Sequence, residues 1–182
     1  GRELAGKTMG ILGLGRIGKE VAKRAAAFEM KVCAFDVYWD DAFARERGVE
    51  RKAAADDVLR EADVVSLHMN LTDDNRDFVN AKRLAIMRPG AYLLNCARGA
   101  LIHQGDVAEA LKAGRLGGYG ADVVEPEPIE QSNPLLSAPN IVLTPHVGSR
   151  TYESVERQAV MAVENLIRVL DGRPALAQAN KP

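Results

Sequence analysis

Cysteine is one of the rarest residues in this chain. Only Cys33 and Cys96 occur among the 182 residues, and they form no C-x-x-C pair. Two widely spaced cysteines do not make the disulfide framework of a small secreted domain. Chains without such a framework are typical of reducing compartments, so we expect a cytoplasmic protein. No bound metal is expected either.

Excess charge of either sign and long apolar runs are missing as well. Lysine and arginine total 24 against 25 aspartates and glutamates, for a net charge of -1, so nothing draws the whole chain to nucleic acid or to an anionic membrane. Apolar runs of only a few residues exclude a membrane span, and no signal-peptide pattern is seen. Because the chain begins with Gly1 rather than methionine, we expect it to be a piece of a longer protein.

What the chain does contain is a series of short apolar runs separated by helical patterns. The runs do not alternate apolar with polar residues, which is typical of strands covered on both faces in a parallel sheet. The predicted strands are 9–12, 32–35, 64–67, 92–94, 119–121 and 141–143. The predicted helices are 17–28, 54–62, 81–87, 104–113 and 152–170. Strands alternating with helices predict a doubly wound α/β sheet with helices on both faces.

Three glycines stand between the first predicted strand and the first predicted helix. Gly13-Leu14-Gly15-Arg16-Ile17-Gly18 matches the pattern G-x-G-x-x-G. Gly13 permits a tight turn, Gly15 lets a pyrophosphate approach the backbone, and Gly18 lets the helix lie close to the sheet. The N terminus of the helix presents N–H groups and a positive dipole end to the phosphates. This motif predicts a Rossmann-type fold that binds a dinucleotide.

Asp36 follows the second predicted strand, about twenty residues beyond the glycines, where this fold places a carboxylate against the adenosine ribose. That carboxylate would repel a 2′-phosphate, and residues 37–41 include no arginine to hold one. NAD is therefore predicted rather than NADP. The alternative is a glycine-rich turn beside a surface aspartate.

Reactive side chains follow several strands, at the edge of the sheet where ligands bind in this fold. They are His68, Arg98 within the run 95–98, Asp122, and His146 within the run 144–146. Histidine is suited to donating a proton to a carbonyl oxygen that receives a hydride, and arginine grips a carboxylate with two hydrogen bonds. The edge therefore has the outline of a reaction site.

A carboxylate beside the histidine would favour the protonated imidazole. The acidic segment offers three candidates, and the residues alone leave Glu125, Glu127 and Glu130 open. An exposed acidic turn without a catalytic role is the alternative for this segment.

The three histidines can be weighed one by one. His146, in the loop TPHVGS, is favoured as the proton donor over a loop histidine with a structural role only. His68 follows a strand and is interpreted as a structural or cofactor-edge group. His103, near a helix start, is interpreted as a solvated turn residue.

Four motifs occur in order along the chain: GLGRIG at 13–18, NCARGALI at 95–102, GADVVEPEP at 120–128 and LTPHVGS at 143–149. With them the chain resembles the D-isomer-specific 2-hydroxyacid dehydrogenases over nearly its whole length. The resemblance implies an NAD-dependent oxidoreductase that transfers hydride between nicotinamide and a 2-hydroxy or 2-oxo acid. It also implies that Arg98 holds the substrate, His146 donates the proton and Glu127 supports His146.

Further cofactor contacts follow from the resemblance. Arg16 and Ile17 are expected at the pyrophosphate, Met69 near the adenosine side and Asp122 at the nicotinamide carboxamide. The nicotinamide pocket is expected to be lined by the stretch 95–98, in which Cys96 and Ala97 are expected to bind the cofactor. Gly148 is a further expected cofactor-binding residue. Asn70, His103 and Glu29 depart from the residues common in the family, but none belongs to the proposed catalytic triad.

The resemblance also implies a domain plan. Residues 1–172 are expected to form the NAD-binding domain, and the polar tail 173–182 would begin the return to a substrate domain built mainly from a preceding segment. A homodimer formed through the cofactor domain is expected, with a small 2-hydroxy or 2-oxo acid as substrate and with neither nucleic acid nor membrane as partner.

Other functions were weighed against this one. An NAD(H)-sensing interaction module, like the corepressor relatives in the same family, is the alternative, and the presence of all three catalytic positions favours the enzyme. A short-chain dehydrogenase is excluded because no tyrosine is followed four residues later by lysine. A Cys96–His146 nucleophilic pair ranks lower because no oxyanion hole is evident.

Overall fold

The computed structural model describes residues 1–178 and divides the chain into two compact units, Gly1–Pro145 and His146–Pro182. Each unit is described by itself. The assignment of 1–172 to one domain stays a prediction. Part of the expected return segment, 179–182, lies outside the described residues.

The first unit is built on one parallel sheet. Within the described chain this sheet has seven strands in the order β3-β2-β1-β4-β5-β6-β7. The strands are β1 Thr8–Leu12, β2 Lys31–Phe35, β3 Val49–Arg51, β4 Val64–Leu67, β5 Ala91–Asn95, β6 Leu116–Ala121 and β7 Ile141–Leu143. The helices are α1 Arg16–Ala27, α2 Asp41–Arg47, α3 Ala55–Glu61, α4 Ala81–Ile86 and α5 Gln104–Lys112, with 3-10 turns at Asp73–Asn75, Gly99–Leu101 and Pro134–Ser137.

Both faces of the sheet are buried at β1, β2 and β4, which explains why these strands do not alternate, whereas Tyr92 on β5 and Val142 on β7 are exposed. On one face, Ile11 and Val32 pack with residues of α1 and α2. On the other face, Leu12 and Val65 pack with residues of α3, α4 and α5. Each fully buried aliphatic side chain contributes about 1.5–3 kcal/mol. The predicted doubly wound α/β sheet is confirmed.

The strand order creates a switch point between β1 and β4. The chain leaves β1 toward β2 on one side and returns to β4 on the other, and both strands pair with β1 in parallel. Ligands in open α/β sheets bind in the crevice that forms at the carboxyl ends of such strands. Gly13 follows β1 and His68 follows β4, so both lie at this crevice.

Two elements were not predicted, helix α2 and the edge strand β3. Asp40 caps α2 by accepting a hydrogen bond from the Phe43 N–H at 3.0 Å, and Gly48 ends it with a φ of 65°. β3 has only one buried residue, Val49, among three. An edge strand this short lacks the apolar run that predicts a strand.

The second unit contains helix α6, Tyr152–Leu170, with the limits predicted from the sequence. Thr151 caps it by accepting a hydrogen bond from the Ser154 N–H at 3.1 Å. The side-chain oxygen of Asn165 accepts hydrogen bonds from the N–H groups of Leu176 and Ala177 at 2.7 and 3.2 Å, which folds the following segment back along the helix. Over its described residues α6 has no buried side chain.

Residues 1–178 contain no helix that combines the length and the apolar composition needed to cross a lipid bilayer.

Candidate active site

The glycine turn after β1 has the close contacts that the motif requires. Gly13 has a φ of 95°, and a Cβ there would lie 2.6 Å from the carbonyl carbon of His68. A Cβ on Gly18 would lie 2.1 Å from the carbonyl oxygen of Gly13. Gly15 differs, because a Cβ there would meet no atom of the described residues within 4 Å. Gly13 and Gly18 therefore shape the turn, whereas Gly15 leaves open space beside it.

Helix α1 begins at this turn with its backbone donors available. Among the described residues no side chain caps its N terminus, and its first turn holds no acidic residue. Arg16 and Ile17 are exposed there, Ile17 to 63%. An uncapped helix N terminus beside open space fits the negatively charged pyrophosphate of a dinucleotide.

Asp36 lies against the same turn. Its two carboxylate oxygens accept hydrogen bonds from the Leu14 N–H at 2.5 Å and from the Tyr38 N–H at 2.8 Å. The predicted ribose-binding carboxylate is therefore held at the edge of the glycine turn by the backbone of both neighbouring segments. A carboxylate has about four lone-pair sites, so two such bonds leave capacity for ribose hydroxyls.

His68 and Met69 follow β4 on the other side of the switch point. The Nε2 atom of His68 lies 2.9 Å from the Ser66 hydroxyl, and the backbone N–H of His68 donates to the Leu12 carbonyl at 2.7 Å. Burial lowers the pKa of His68. Met69 is partly buried and packs against the larger core cluster. These contacts support the interpretation of His68 as a structural or cofactor-edge group.

The turn after β5 exposes alternate residues. Asn95 is fully buried, and its amide closes the turn by accepting from the Ala97 N–H at 3.1 Å and donating to the Arg98 carbonyl at 2.9 Å. Ala97 is buried in the core cluster, and its carbonyl accepts a hydrogen bond from the Arg98 guanidinium at 2.6 Å. Cys96 and Arg98 are exposed. The turn thus presents the guanidinium that was predicted to hold the substrate.

The two cysteines differ in their surroundings. Burial raises the pKa of the Cys33 thiol to about 12, so it behaves as a small core residue. Burial, and then the charge of Asp122, raise the pKa of the Cys96 thiol. Cys96 is therefore a neutral thiol at neutral pH, which does not support a nucleophilic role.

Asp122 follows β6 and lies next to the turn that bears Arg98. Its N–H donates to the Asn95 carbonyl at 3.1 Å, and its carboxylate accepts a hydrogen bond from the Thr144 hydroxyl at 2.5 Å. The residue is only 9% exposed. Asp122 and Arg98 therefore share one edge of the sheet, as the sequence predicted.

The three acidic candidates have different partners. Glu125 lies 3.9 Å from the Arg76 guanidinium, and Glu130 accepts a 3.5 Å hydrogen bond from the Ser132 hydroxyl. Glu127 accepts a hydrogen bond from the Val124 N–H at 3.3 Å, within its own loop. The loop touches the Arg98 turn, because a Cβ on Gly99 would lie 2.1 Å from the Val124 carbonyl.

His146 and Gly148 belong to the second unit. His146 has a φ of 53°, a left-handed conformation that costs a residue other than glycine about 1–3 kcal/mol and is found at functional sites. The Arg150 N–H donates to the Val147 carbonyl at 2.8 Å and closes the turn around Gly148. The joint site of His146 with Arg98 and Glu127 stays a prediction.

His103 caps α5, since its Nδ1 accepts a hydrogen bond from the Asp106 N–H at 3.3 Å. It is exposed, as the interpretation of a solvated turn residue requires. Gln104, which no sequence motif marks, contacts the acidic segment at Glu125. Its only signal in the sequence is its place at the start of a helix, which is shared by many surface residues.

A groove in the first unit lies away from these residues. It has a volume of about 360 Å³ and is formed at the opposite end of the sheet, between the segment 2–7 and side chains such as Arg88 and Tyr92. None of the predicted site residues within 1–178 lines it. This groove and the predicted site residues therefore lie at opposite ends of the sheet.

The comparison with known families decides the assignment. Residues 1–148 match the model described as D-isomer specific 2-hydroxyacid dehydrogenase, NAD binding domain. The chain belongs to this family. NAD is its cofactor, and the open space at Gly15 and the uncapped helix N terminus fit it.

Individual relatives agree with the family match. The chain is 39% identical to D-3-phosphoglycerate dehydrogenase of Methanocaldococcus jannaschii over 100% of this chain and 34% of that protein. It is 42% identical to hydroxypyruvate reductase of Blautia hydrogenotrophica over 94% of this chain and 53% of the relative. Its fold matches the structure of D-lactate dehydrogenase with NAD+ from Lactobacillus jensenii with a TM-score of 0.89 and 29% identity, covering 99% of this chain and 57% of the other.

The 2-hydroxyacid dehydrogenase domain described here spans from about one third to somewhat over half of the length of these relatives. The matches are to oxidoreductases, and none of them favours the NAD(H)-sensing module.

Proposed function

We propose that this domain is the cofactor-binding part of an enzyme that interconverts 2-hydroxy acids and 2-oxo acids. The observation that carries the proposal is that the glycine turn, Asp36, Asp122 and Arg98 all follow carboxyl ends of strands of one parallel sheet. NAD supplies or accepts the hydride when bound. The chain must then bind the cofactor, orient an anionic substrate and handle one proton.

The proposed roles follow from the chemistry of each side chain. Arg98 binds the substrate carboxylate. Nη1 of this exposed residue donates to the Ala97 carbonyl at 2.6 Å, and the guanidinium has further N–H groups that can form two parallel hydrogen bonds to a carboxylate. His146 donates a proton to the carbonyl oxygen during reduction and accepts it during oxidation. Glu127 pairs with the imidazole and favours its protonated form.

The proposed cofactor contacts divide between the two edges of the crevice. Arg16 and Ile17, with the backbone at Gly13, Gly15 and Gly18, face the pyrophosphate, and Asp36 faces the adenosine ribose. The other proposed contacts are Met69 on the adenosine side, and Cys96, Ala97, Asp122 and Gly148 on the nicotinamide side. Asp122 would accept a hydrogen bond from the carboxamide.

The relatives share one class of substrate. Their names refer to phosphoglycerate, hydroxypyruvate and D-lactate, which are all small 2-hydroxy or 2-oxo acids. We propose the same class for this protein. We further propose that the complete protein is cytoplasmic and forms a homodimer through this domain. Equilibrium sedimentation of the complete protein tests the dimeric state.

Replacing Arg98 tests the proposal in the complete protein. Two charge-assisted hydrogen bonds contribute about 1.5–3 kcal/mol each, so Arg98→Ala should lower kcat/KM for a 2-oxo acid about a thousandfold. Arg98→Lys keeps the charge but lacks the planar guanidinium, so its kcat/KM should lie between those of Arg98→Ala and the unsubstituted protein. Affinity for NADH should stay within about twofold, because the guanidinium is assigned to the substrate.

The assay follows NADH oxidation with a panel of 2-oxo acids, and calorimetry measures NADH binding. Arg60→Ala is the control, since Arg60 is exposed on α3 and pairs with Asp57. Unchanged kcat/KM in Arg98→Ala would contradict the assignment of Arg98, and absence of NADH binding to the unsubstituted protein would contradict the proposed function itself.

A further inference from the structure

Arg98 and Glu127 stand on two different segments, the arginine turn (95–99) and the acidic loop (123–133). For Arg98 to hold the substrate while Glu127 supports the proton donor, the distance between these segments must be held constant. A misplacement of about 1 Å can cost a hundredfold in rate. The structure shows what holds them together.

The first connection is the contact at Gly99. This residue is buried, and an added Cβ would lie 2.1 Å from the carbonyl carbon and oxygen of Val124 and 2.7 Å from the Glu125 nitrogen. The arginine turn therefore rests directly on the backbone that leads to Glu127. A contact of this kind limits how closely the segments approach, but it does not stop the loop from moving away.

The second connection is Gln104, the first residue of α5. Its side-chain nitrogen donates to the Glu125 carbonyl, and its side-chain oxygen accepts from the Glu125 N–H at 3.5 Å. The same oxygen accepts a hydrogen bond from the Asn133 side chain at 3.1 Å. An uncharged amide can donate and accept at the same time, and here it does both toward one residue.

Both ends of this connection are anchored in the core. Helix α5 buries Val107, Ala108 and Leu111. At the other end Asn133 is 9% exposed, and its side-chain oxygen accepts from the N–H of the fully buried Leu135 at 3.0 Å. Gln104 thus joins both ends of the acidic loop, at Glu125 and at Asn133, to helix α5, whose apolar face packs in the core.

We infer that Gln104 is a positioning residue that holds the acidic loop against the arginine turn and so places Glu127 for its work on His146. This inference rests on the proposed function for the roles of Glu127 and His146. The hydrogen bonds that carry it belong to the structure whether or not those roles are right.

Gln104→Ala in the complete protein removes both hydrogen bonds to Glu125 and should lower kcat for a 2-oxo acid about tenfold, while the Kd of NADH changes by less than about twofold. The limb of the pH profile that reports the protonated histidine should move to lower pH, since a displaced Glu127 no longer favours the imidazolium. Gln104→Glu keeps the shape and one acceptor but places a carboxylate oxygen against the Glu125 carbonyl, so kcat should fall at least as far as in Gln104→Ala. Lys112→Ala, at the exposed end of α5, is the matched control.

Amide hydrogen exchange supplies a measurement that does not depend on activity. In Gln104→Ala, exchange within residues 123–133 should be about tenfold faster, with 31–35 unchanged as an internal reference. Unchanged exchange in the acidic loop overturns the inference. The inference is also overturned if kcat falls, NADH binds more weakly and the pH profile does not move. That combination indicates a general loss of structure. If the unsubstituted protein reduces no 2-oxo acid, the proposed function fails, and hydrogen exchange alone decides the role of Gln104.

Discussion

The proposed cofactor half of the site and the proposed reaction half are built in different ways. In the cofactor half, around the turn after β1, the geometry depends on side chains that are missing, at Gly13, Gly15 and Gly18. In the reaction half, after β5 and β6, it depends on hydrogen bonds made by side chains, chiefly those of Asn95 and Gln104. Gly13 and Gly18 tolerate no added Cβ, and neither does Gly99 in the reaction half, whereas the hydrogen bonds can be lost one at a time.

The difference has a simple physical origin. A Cβ placed about 2 Å from a backbone atom cannot be accommodated unless the backbone moves, and well-packed proteins resist such movement. A lost hydrogen bond costs about 0.5–1.5 kcal/mol, and the remaining contacts hold the segment near its place. Substitutions in the two halves should therefore have effects of different size.

The largest effect is expected at Gly18. In Gly18→Ala the new Cβ would lie 2.1 Å from the Gly13 carbonyl oxygen. The free energy of unfolding should fall by at least about 3 kcal/mol, and NAD binding should be lost. Urea unfolding measures the first quantity and calorimetry the second.

Gly15→Ala is the matched control, because the structure leaves space for that Cβ and the φ of Gly15 is -71°. It should change the free energy of unfolding by less than about 1 kcal/mol while weakening NAD binding at least about tenfold. Equal NAD affinity in Gly15→Ala and the unsubstituted protein would refute the placement of the pyrophosphate at this turn.

An intermediate effect is expected at Asp36. Asp36→Ala removes the acceptor for the Leu14 and Tyr38 N–H groups and for the ribose hydroxyls. NADH should bind about ten- to a hundredfold more weakly, and the preference for NADH over NADPH should shrink, since the charge that repels a 2′-phosphate is gone. Fluorescence titration with both cofactors measures this, and Asp41→Ala in the first turn of α2 is the control. A preference for NADH that survives Asp36→Ala would assign cofactor choice to other residues.

The smallest effect is expected at His68, where the two halves meet. Burial lowers the pKa of this histidine below its unfolded value, so the unfolded chain binds the proton more readily. The contribution to stability is complete above the unfolded pKa, about 6.5, and is lost as the pH falls from there through the folded pKa. Urea midpoints at about pH 7.5 and pH 5.5 should differ less in His68→Asn than in the unsubstituted protein. An identical pH dependence in both proteins would show that His68 titrates normally.

Features of the cofactor half can be predicted from local spacing, whereas contacts in the reaction half join residues that are distant along the chain. Gly13, Gly18 and Asp36 were recognised from spacing, because a turn between a strand and a helix is a local structure. Strand β6 begins three residues before the predicted 119, since the glycines at 117 and 118 hide it. Gln104 was passed over, because its partners Glu125 and Asn133 are distant along the chain and a surface glutamine carries no pattern of its own.

Hydrophobic periodicity and glycine spacing act over a few neighbouring residues, so they are enough to predict the parallel sheet, the dinucleotide turn and the residue types at the edge of the sheet. Local patterns do not predict that Asn95 closes the arginine turn, that the Thr144 hydroxyl donates to Asp122 or that Gln104 bonds the backbone of Glu125. Hydrogen bonds between segments depend on where the packed core places them, and no local pattern contains that distance.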